Sequence, residues 1–252
     1  TNLTNTGTIS SSAATFGQAI EQKGASTITN LTNSGTISGT ASSTDGMGID
    51  LRGTSTITNL INSGTISGTT TNSNRGYGVR ASTSTITTLT NSGTISGASG
   101  DDSGFGVHLQ NGSSATTITN SGTISGVTTG DDFAHGVILD GSTLTTLTNT
   151  GTISSTTADD ESAAVIAHNN STLTTLTNAG TITGTGDTNI RGVDSRVGST
   201  ISSIVNTGTI EAIADTNSSS GILAFNTGSF GTISNSGNIT STATGFGIGV
   251  YV

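Results

Sequence analysis

From Leu31 to Ser38 the chain alternates strictly. Leu31, Asn33, Gly35 and Ile37 take every second position, and Thr32, Ser34, Thr36 and Ser38 fall between them. A period of two places the first set on one face of a strand and leaves the hydroxyl set facing water. A second short strand is predicted around an inward Ile28, flanked outward by Thr27 and Thr29. A third carries one aliphatic after a small residue in each unit: Ile20, Ile49, Val79, Val107, Val137, Val165, Val193, Ile222 and Ile248. Thr, Ile and Val favour strands, and nowhere does a capping residue lead into a stripe of helical period.

The pattern repeats. LTNSGTISG spans Leu31–Gly39 and returns at Leu89–Gly97. Aligned on the glycine of the GTI-like triplet, the units fall at Gly7, Gly35, Gly64, Gly93, Gly122, Gly151, Gly180, Gly208 and Gly237, always 28 or 29 residues apart. Nine units fill residues 1–252 as a single domain, and a fixed period of this length is the mark of a solenoid whose coils bury their faces against each other. The expected fold is all-β: a parallel β-solenoid of nine coils of 28–29 residues, with three short strands per coil. At a rung spacing of about 4.8 Å, nine coils make a rod roughly 40 Å long. Each coil supplies four or five inward aliphatics, at ~1.5–3 kcal/mol per fully buried side chain. A core one side chain wide has no room for an aromatic in every rung.

Two residues before each of those glycines stands an asparagine: Asn5, Asn33, Asn62, Asn91, Asn120, Asn149, Asn178, Asn206 and Asn235. A buried amide without partners is costly. Stacked asparagines answer this by bonding up and down a column, and the following glycine gives the corner a backbone that a Cβ would hinder.

Composition narrows the function. Charged residues are only 8% of the chain, with Lys23, Arg52, Arg75, Arg80, Arg191 and Arg196 against a net charge of −9. Nucleic acid is excluded as a partner, because phosphate binding needs clustered cations. No apolar run approaches the ~18 residues of a membrane span, so no membrane insertion is expected. Cysteine and proline are absent, which removes disulfides and thiolate metal sites. Few charges among many Ser, Thr, Asn and Gly also suit a disordered chain, but disorder does not require periodic aliphatics.

LTNSGTISG, followed by GMGIDLRG or GFGVHLQN and then STITNLTN, resembles the repeats in passenger domains of bacterial autotransporters and related haemagglutinin-like adhesins. The resemblance runs the length of the chain. It implies a right-handed parallel β-helix, secreted across a Gram-negative outer membrane and then exposed or released. It brings no catalytic residues, and the family's translocator barrel, signal sequence and terminal cap have no counterpart in this stretch. Thr1-Asn2-Leu3 opens midway through a repeat and Gly249-Val250-Tyr251-Val252 stops after a third strand. An excerpt of a longer passenger, or coils stacking head to tail on further copies, is expected.

Acids collect in the loop after the GTI strand. Asp101 and Asp102, Asp131 and Asp132, then Asp159, Asp160 and Glu161 take equivalent places in three successive coils. Seven carboxylates along one edge repel each other, and Ca²⁺ would relieve them; a solvated acidic edge that keeps the rod soluble is the plainer reading. Asp131 and Asp160 also suit a glycosidase pair, but the scarcity of aromatic platforms and of bases beyond Arg75 opposes an enzyme. His108, His135 and His168 fall at different phases of the repeat and are expected on the surface or in loops. The register of Thr27/Thr29 with Thr56/Thr58, Thr85/Thr87, Ser114/Thr116, Thr143/Thr145 and Thr172/Thr174 resembles the ice-binding face of some antifreeze proteins, against a bend implied by the three-residue step from Ile28 to Leu31.

The expected function is therefore a cell-surface or secreted structural or adhesive β-helix without catalysis. Its partners would be host or neighbour-cell glycans or proteins, touched by lateral loops such as Asp101–Gly104 and Thr71–Arg75. The alternative is an extracellular filament subunit stacking on itself end to end; a polysaccharide-degrading or ice-binding solenoid ranks below both. No cofactor is expected apart from the Ca²⁺ considered above.

Overall fold

The computed structural model describes residues 1–72, 74–130, 132–159 and 161–252. It is a parallel β-solenoid of nine coils. The first coil is β1 (Asn2–Asn5), β2 (Thr8–Ala13) and β3 (Gly17–Gln22); the second is β4 (Thr27–Asn33), β5 (Thr36–Ala41) and β6 (Gly46–Arg52). The pattern continues to β27 (Phe246–Tyr251), and every third strand joins the same sheet, giving three nine-stranded parallel sheets.

The Ile28 segment is not a strand of its own. Ile28 and Leu31 share β4, and the ladder steps from Ile28↔Ile57 to Asn30↔Asn59, leaving Thr29 out. That step is the bend implied by their spacing. One residue of the third-strand column is also corrected: Ile222 stacks on Val250, not Ile248. The sequence repeats Gly-Ile-Gly-Val there, and both aliphatics fit the alternation.

The interior is one aliphatic layer per coil. Ile57, Leu60, Ile66, Val79 and Ala81 fill the third coil; Ile86, Leu89, Ile95, Val107 and Leu109 fill the fourth. Like residues sit on like because the coils keep register. Loop length varies between the second and third strands and between the third and first, outside the paired positions, so an extra residue does not shift the ladder.

At the corner between the first and second sheets the asparagines form one continuous column. Each Nδ2 donates to the Oδ1 of the next, from Asn5 to Asn235, at 2.7–2.8 Å. The same amide reaches a second-strand carbonyl of the next coil, as Asn33 does to Thr65 O at 3.0 Å. From Asn33 to Asn206 each amide is used as donor and acceptor and is buried, without the cost of unpaired polar groups. The glycine that follows is required by proximity. A Cβ on Gly93 would lie 2.1 Å from the carbonyl oxygen of Gly64 below it.

A second polar column went unread in the sequence. At the corner between the third and first sheets Ser55, Ser84, Ser113, Ser142, Ser171 and Ser199 are all buried. Three of the hydroxyls accept from backbone amides of the preceding coil, Ser113 Oγ from Ser84 N at 3.1 Å, Ser171 Oγ from Ser142 N at 3.0 Å and Ser199 Oγ from Ser171 N at 2.9 Å, while the Ser55 and Ser84 hydroxyls lie 3.2 Å apart. The signal was the serine opening each STIT-like segment.

Candidate functional site

The third sheet differs from the other two. Its strands are buried on both faces: β6, β9 (Gly76–Ser82), β12 (Gly104–Gln110), β15 (Ala134–Asp140) and β18 (Ser162–His168) are buried at six successive positions. One face meets the aliphatic core. The other lies beside the long loops between second and third strands.

Chemistry concentrates on that outer face. Lys23 follows β3, Arg52 ends β6, Arg75 precedes β9, Arg80 lies within it, and Arg191 and Arg196 lie in β21 (Ile190–Arg196). All six cations of the chain are there, each beside a carboxylate. The first two sheets present Thr and Ser outward at nearly every position.

Three outward columns build the face. Met47, Tyr77, Phe105, His135, Ala163 and Arg191 stack in one; Asp50, Arg80, His108, Ile138, Ile166 and Asp194 in the next; Arg52, Ser82, Gln110, Asp140 and His168 in the third. Two ionic clusters bracket an aromatic centre. In the first, Asp50 is wholly buried and accepts from Arg80 Nε at 2.8 Å and Nη2 at 3.0 Å, from Arg52 Nε at 2.6 Å and from Gln18 Nε2 at 2.7 Å. The Arg80 guanidinium also lies 5.0 Å from the Tyr77 ring centre. In the second, buried Asp194 accepts from Arg196 Nε at 2.8 Å, while Glu161 contacts Arg191 at 2.8 Å and also Arg196. Burial pushes the Glu161 carboxyl upward, but the two guanidiniums outweigh it and hold it below the usual range. For Asp194 burial prevails over Arg196 and Arg191, and its pKa is raised.

Between the clusters the rings of Tyr77, His108, Phe105, His135 and Phe133 form a continuous pile, with successive centres 4.8–6.3 Å apart. Here the expectation for the histidines is corrected: His108 and His135 are each 4% exposed, not surface residues. Their different phases in the repeat are real, yet all three histidines converge on one cleft, because the three outward columns of a sheet lie side by side. Desolvation, reinforced for His108 by the other histidine and by Arg75 and Arg80, pushes both buried imidazoles down to about 3. Both are neutral at pH 7. His135 Nδ1 lies 3.0 Å from the Ala163 carbonyl and 3.2 Å from its amide. Neither ring nitrogen of His108 has a hydrogen-bond partner among the described residues.

The cleft has a volume of about 240 Å³, and Arg75, Phe105, His108, Phe133, His135 and Ile138 are among its walls. The two loops expected to touch a partner, Asp101–Gly104 and Thr71–Arg75, contribute Ser103 and Arg75 to it.

The acidic edge is only partly visible. Asp131 and Asp160 lie outside the described residues, so neither the full edge nor a glycosidase pair is defined. Asp102 accepts from Ser103 N at 2.6 Å and lies 3.6 Å from Arg75. Glu161 belongs to the second ionic cluster. Asp101 and Asp159 are exposed and Asp132 half-buried. Among the described residues no group of three or more His, Asp or Glu is placed to hold a metal ion. The threonine pairs are in register on the first sheet, but the ladder steps at the second member of each.

No family model, curated protein or solved structure matches this chain. The fold and the cleft therefore stand on the geometry alone.

Proposed function

We propose that this chain is part of a secreted or cell-surface binding rod, in the manner of the autotransporter passengers its repeats resemble, and that the third sheet is its binding face. One observation carries the reading. The cations, the three histidines and the largest buried rings are gathered on one of three sheets, whereas the other two carry mostly Thr and Ser. A rod that only spans distance needs no such asymmetry. Catalytic groups are not assigned in this reading: the buried carboxylates Asp50 and Asp194 are tied to arginines, which suits holding a surface in shape.

The test has two parts. Antibodies against the chain should label intact cells of the source organism, and absence of label would remove the surface role. Substitutions on the outer third sheet, such as Phe133→Ala with Arg75→Ala, should weaken adhesion to partner cells or matrix. Paired Thr→Ser changes on the first sheet should not. Concentration-dependent fibres in electron microscopy, with adhesion unaffected by either set, would favour the end-to-end filament instead.

A further inference from the structure

Resting on the third sheet as the binding face, we propose that the cleft between the two ionic clusters binds one ring of an uncharged saccharide. His108 and His135 would supply the polar contacts.

The hydrogen-bonding groups point to hydroxyls. A neutral imidazole offers one donor and one acceptor. His108, buried at the cleft with neither nitrogen partnered among the described residues, has both to give once a wall residue turns aside, and His135 has Nε2 left over from its backbone contact. Hydroxyls also donate and accept, so a pair on adjacent carbons satisfies both kinds of nitrogen. An anion would leave the acceptor nitrogen facing a second acceptor, and an ammonium would leave the donor facing donors.

Charge argues the same way. Two cations, Arg75 and Arg196, and two acids, Asp140 and Glu161, line the cleft. Each arginine is already beside a carboxylate: Arg75 beside Asp102, and Arg196 beside Glu161 and Asp194. No arginine is left uncompensated to draw an anion, and the one cleft acid without an arginine beside it, Asp140, accepts from Asn169 and lies 3.8 Å from His168. Phe105, Phe133, Ile138 and Ile166 supply apolar wall for the C–H face of a sugar ring. At about 240 Å³ the cleft falls below the range of roughly 300–1,000 Å³ usual for larger ligands. One ring fits, and further units of a chain would lie outside. Phe133, 40% exposed, and Arg75, half exposed, are the wall residues with room to turn and admit it.

His108 also comes at a cost to the fold. Burying an imidazole with two unmade hydrogen bonds is unfavourable where an apolar ring would stack as well. A group kept at such a position has a use that the apolar ring lacks.

The experiment follows the histidine imidazole resonances of the intact chain by ¹H–¹⁵N NMR at pH 7. Methyl glycosides of glucose, galactose and N-acetylglucosamine are added in turn, then galacturonate, glucosamine and adenosine. At least one neutral glycoside should shift the His108 and His135 signals in a saturable way, with the charged sugars at least tenfold weaker. His108→Phe should abolish the response while the melting temperature holds or rises. Phe133→Ala, at the exposed end of the pile, should weaken binding several-fold while leaving the four inner rings in place, and it carries the test if His108→Phe misfolds. The proposal is overturned if no neutral glycoside shifts the imidazoles, if galacturonate or glucosamine binds as well, or if adenosine alone does. These outcomes leave the binding-face reading to its own adhesion test, since a face can bind a partner of other chemistry.

Discussion

Asn91 donates from Nδ2 to Oδ1 of Asn120 at 2.8 Å while its own Oδ1 accepts from Asn62 at 2.8 Å. The same nitrogen also reaches Thr123 O at 3.0 Å. One side chain thus ties three consecutive coils together, at a position fully buried from solvent.

Asn91→Ala should therefore cost more than its size suggests. It takes a donor from both Asn120 Oδ1 and Thr123 O, and each buried unsatisfied group costs about 1–3 kcal/mol. A loss of ~2–5 kcal/mol is expected in urea unfolding. Asn59→Ala, in the more exposed column where Asn59 donates to Asn30, should cost under ~1 kcal/mol. Equal losses would mean that the buried ladder has no special part in stability.

The neutral histidines set an acid limit. Their folded pKa lies near 3, below the ordinary value of ~6.5 in the unfolded chain. The unfolded state then binds more protons, so the stability is fully present above pH ~6.5 and declines as pH falls toward the folded pKa. The slope should approach ~1.4 kcal/mol per pH unit for each histidine between pH ~5.5 and ~4. Glu161, whose folded pKa is lowered, adds to the loss only below the ordinary carboxylate range. His108→Phe should remove one histidine's share of the slope, read as melting temperature against pH.

Breaking the first ionic cluster from one side should be severe. Arg80→Met leaves buried Asp50 without its bidentate partner, and breaking a buried pair from one side costs ~3–5 kcal/mol. Arg80→Met with Asp50→Leu removes both charges and should recover most of that. A double-mutant cycle in thermal unfolding tests the coupling.

Gly93→Ala tests the corner. Its Cβ would sit 2.1 Å from a backbone oxygen, which no rotamer relieves, so the two coils must part locally. A shift of the melting temperature by many degrees is expected. Gly112→Asn sits at φ +77° with nothing within 4 Å of a Cβ, and asparagine tolerates such backbone. It should move the melt far less.

What the sequence disclosed, and what it hid, follow from periodicity. Leu31, Asn33 and Ile37 recur at the same phase in unit after unit, so the coil, the sheets and the amide column could be read without coordinates. The cleft is made where the repeat is broken. Met47, Tyr77, Phe105 and His135 share one column but no residue type, and a search for recurrence passes over them. His108 and His135 sit two and one columns from the third sheet's edge, in different coils. Only the lateral closeness of outward columns unites them with His168. Burial of the third sheet's outer face was equally hidden, because an aromatic or arginine in an alternating strand reads as exposed until the neighbouring loop is seen.

Because Asn120 accepts from the coil before and donates to the coil after with the same geometry at every rung, the coil is an interchangeable part. Duplicating or excising one 29-residue unit among the plain rungs alters reach by a single step and leaves each junction chemically identical. The outer columns of the third sheet obey no such rule. Reach and recognition can therefore drift independently in descendants of this chain, the first by recombination between repeats and the second by point substitution on one face.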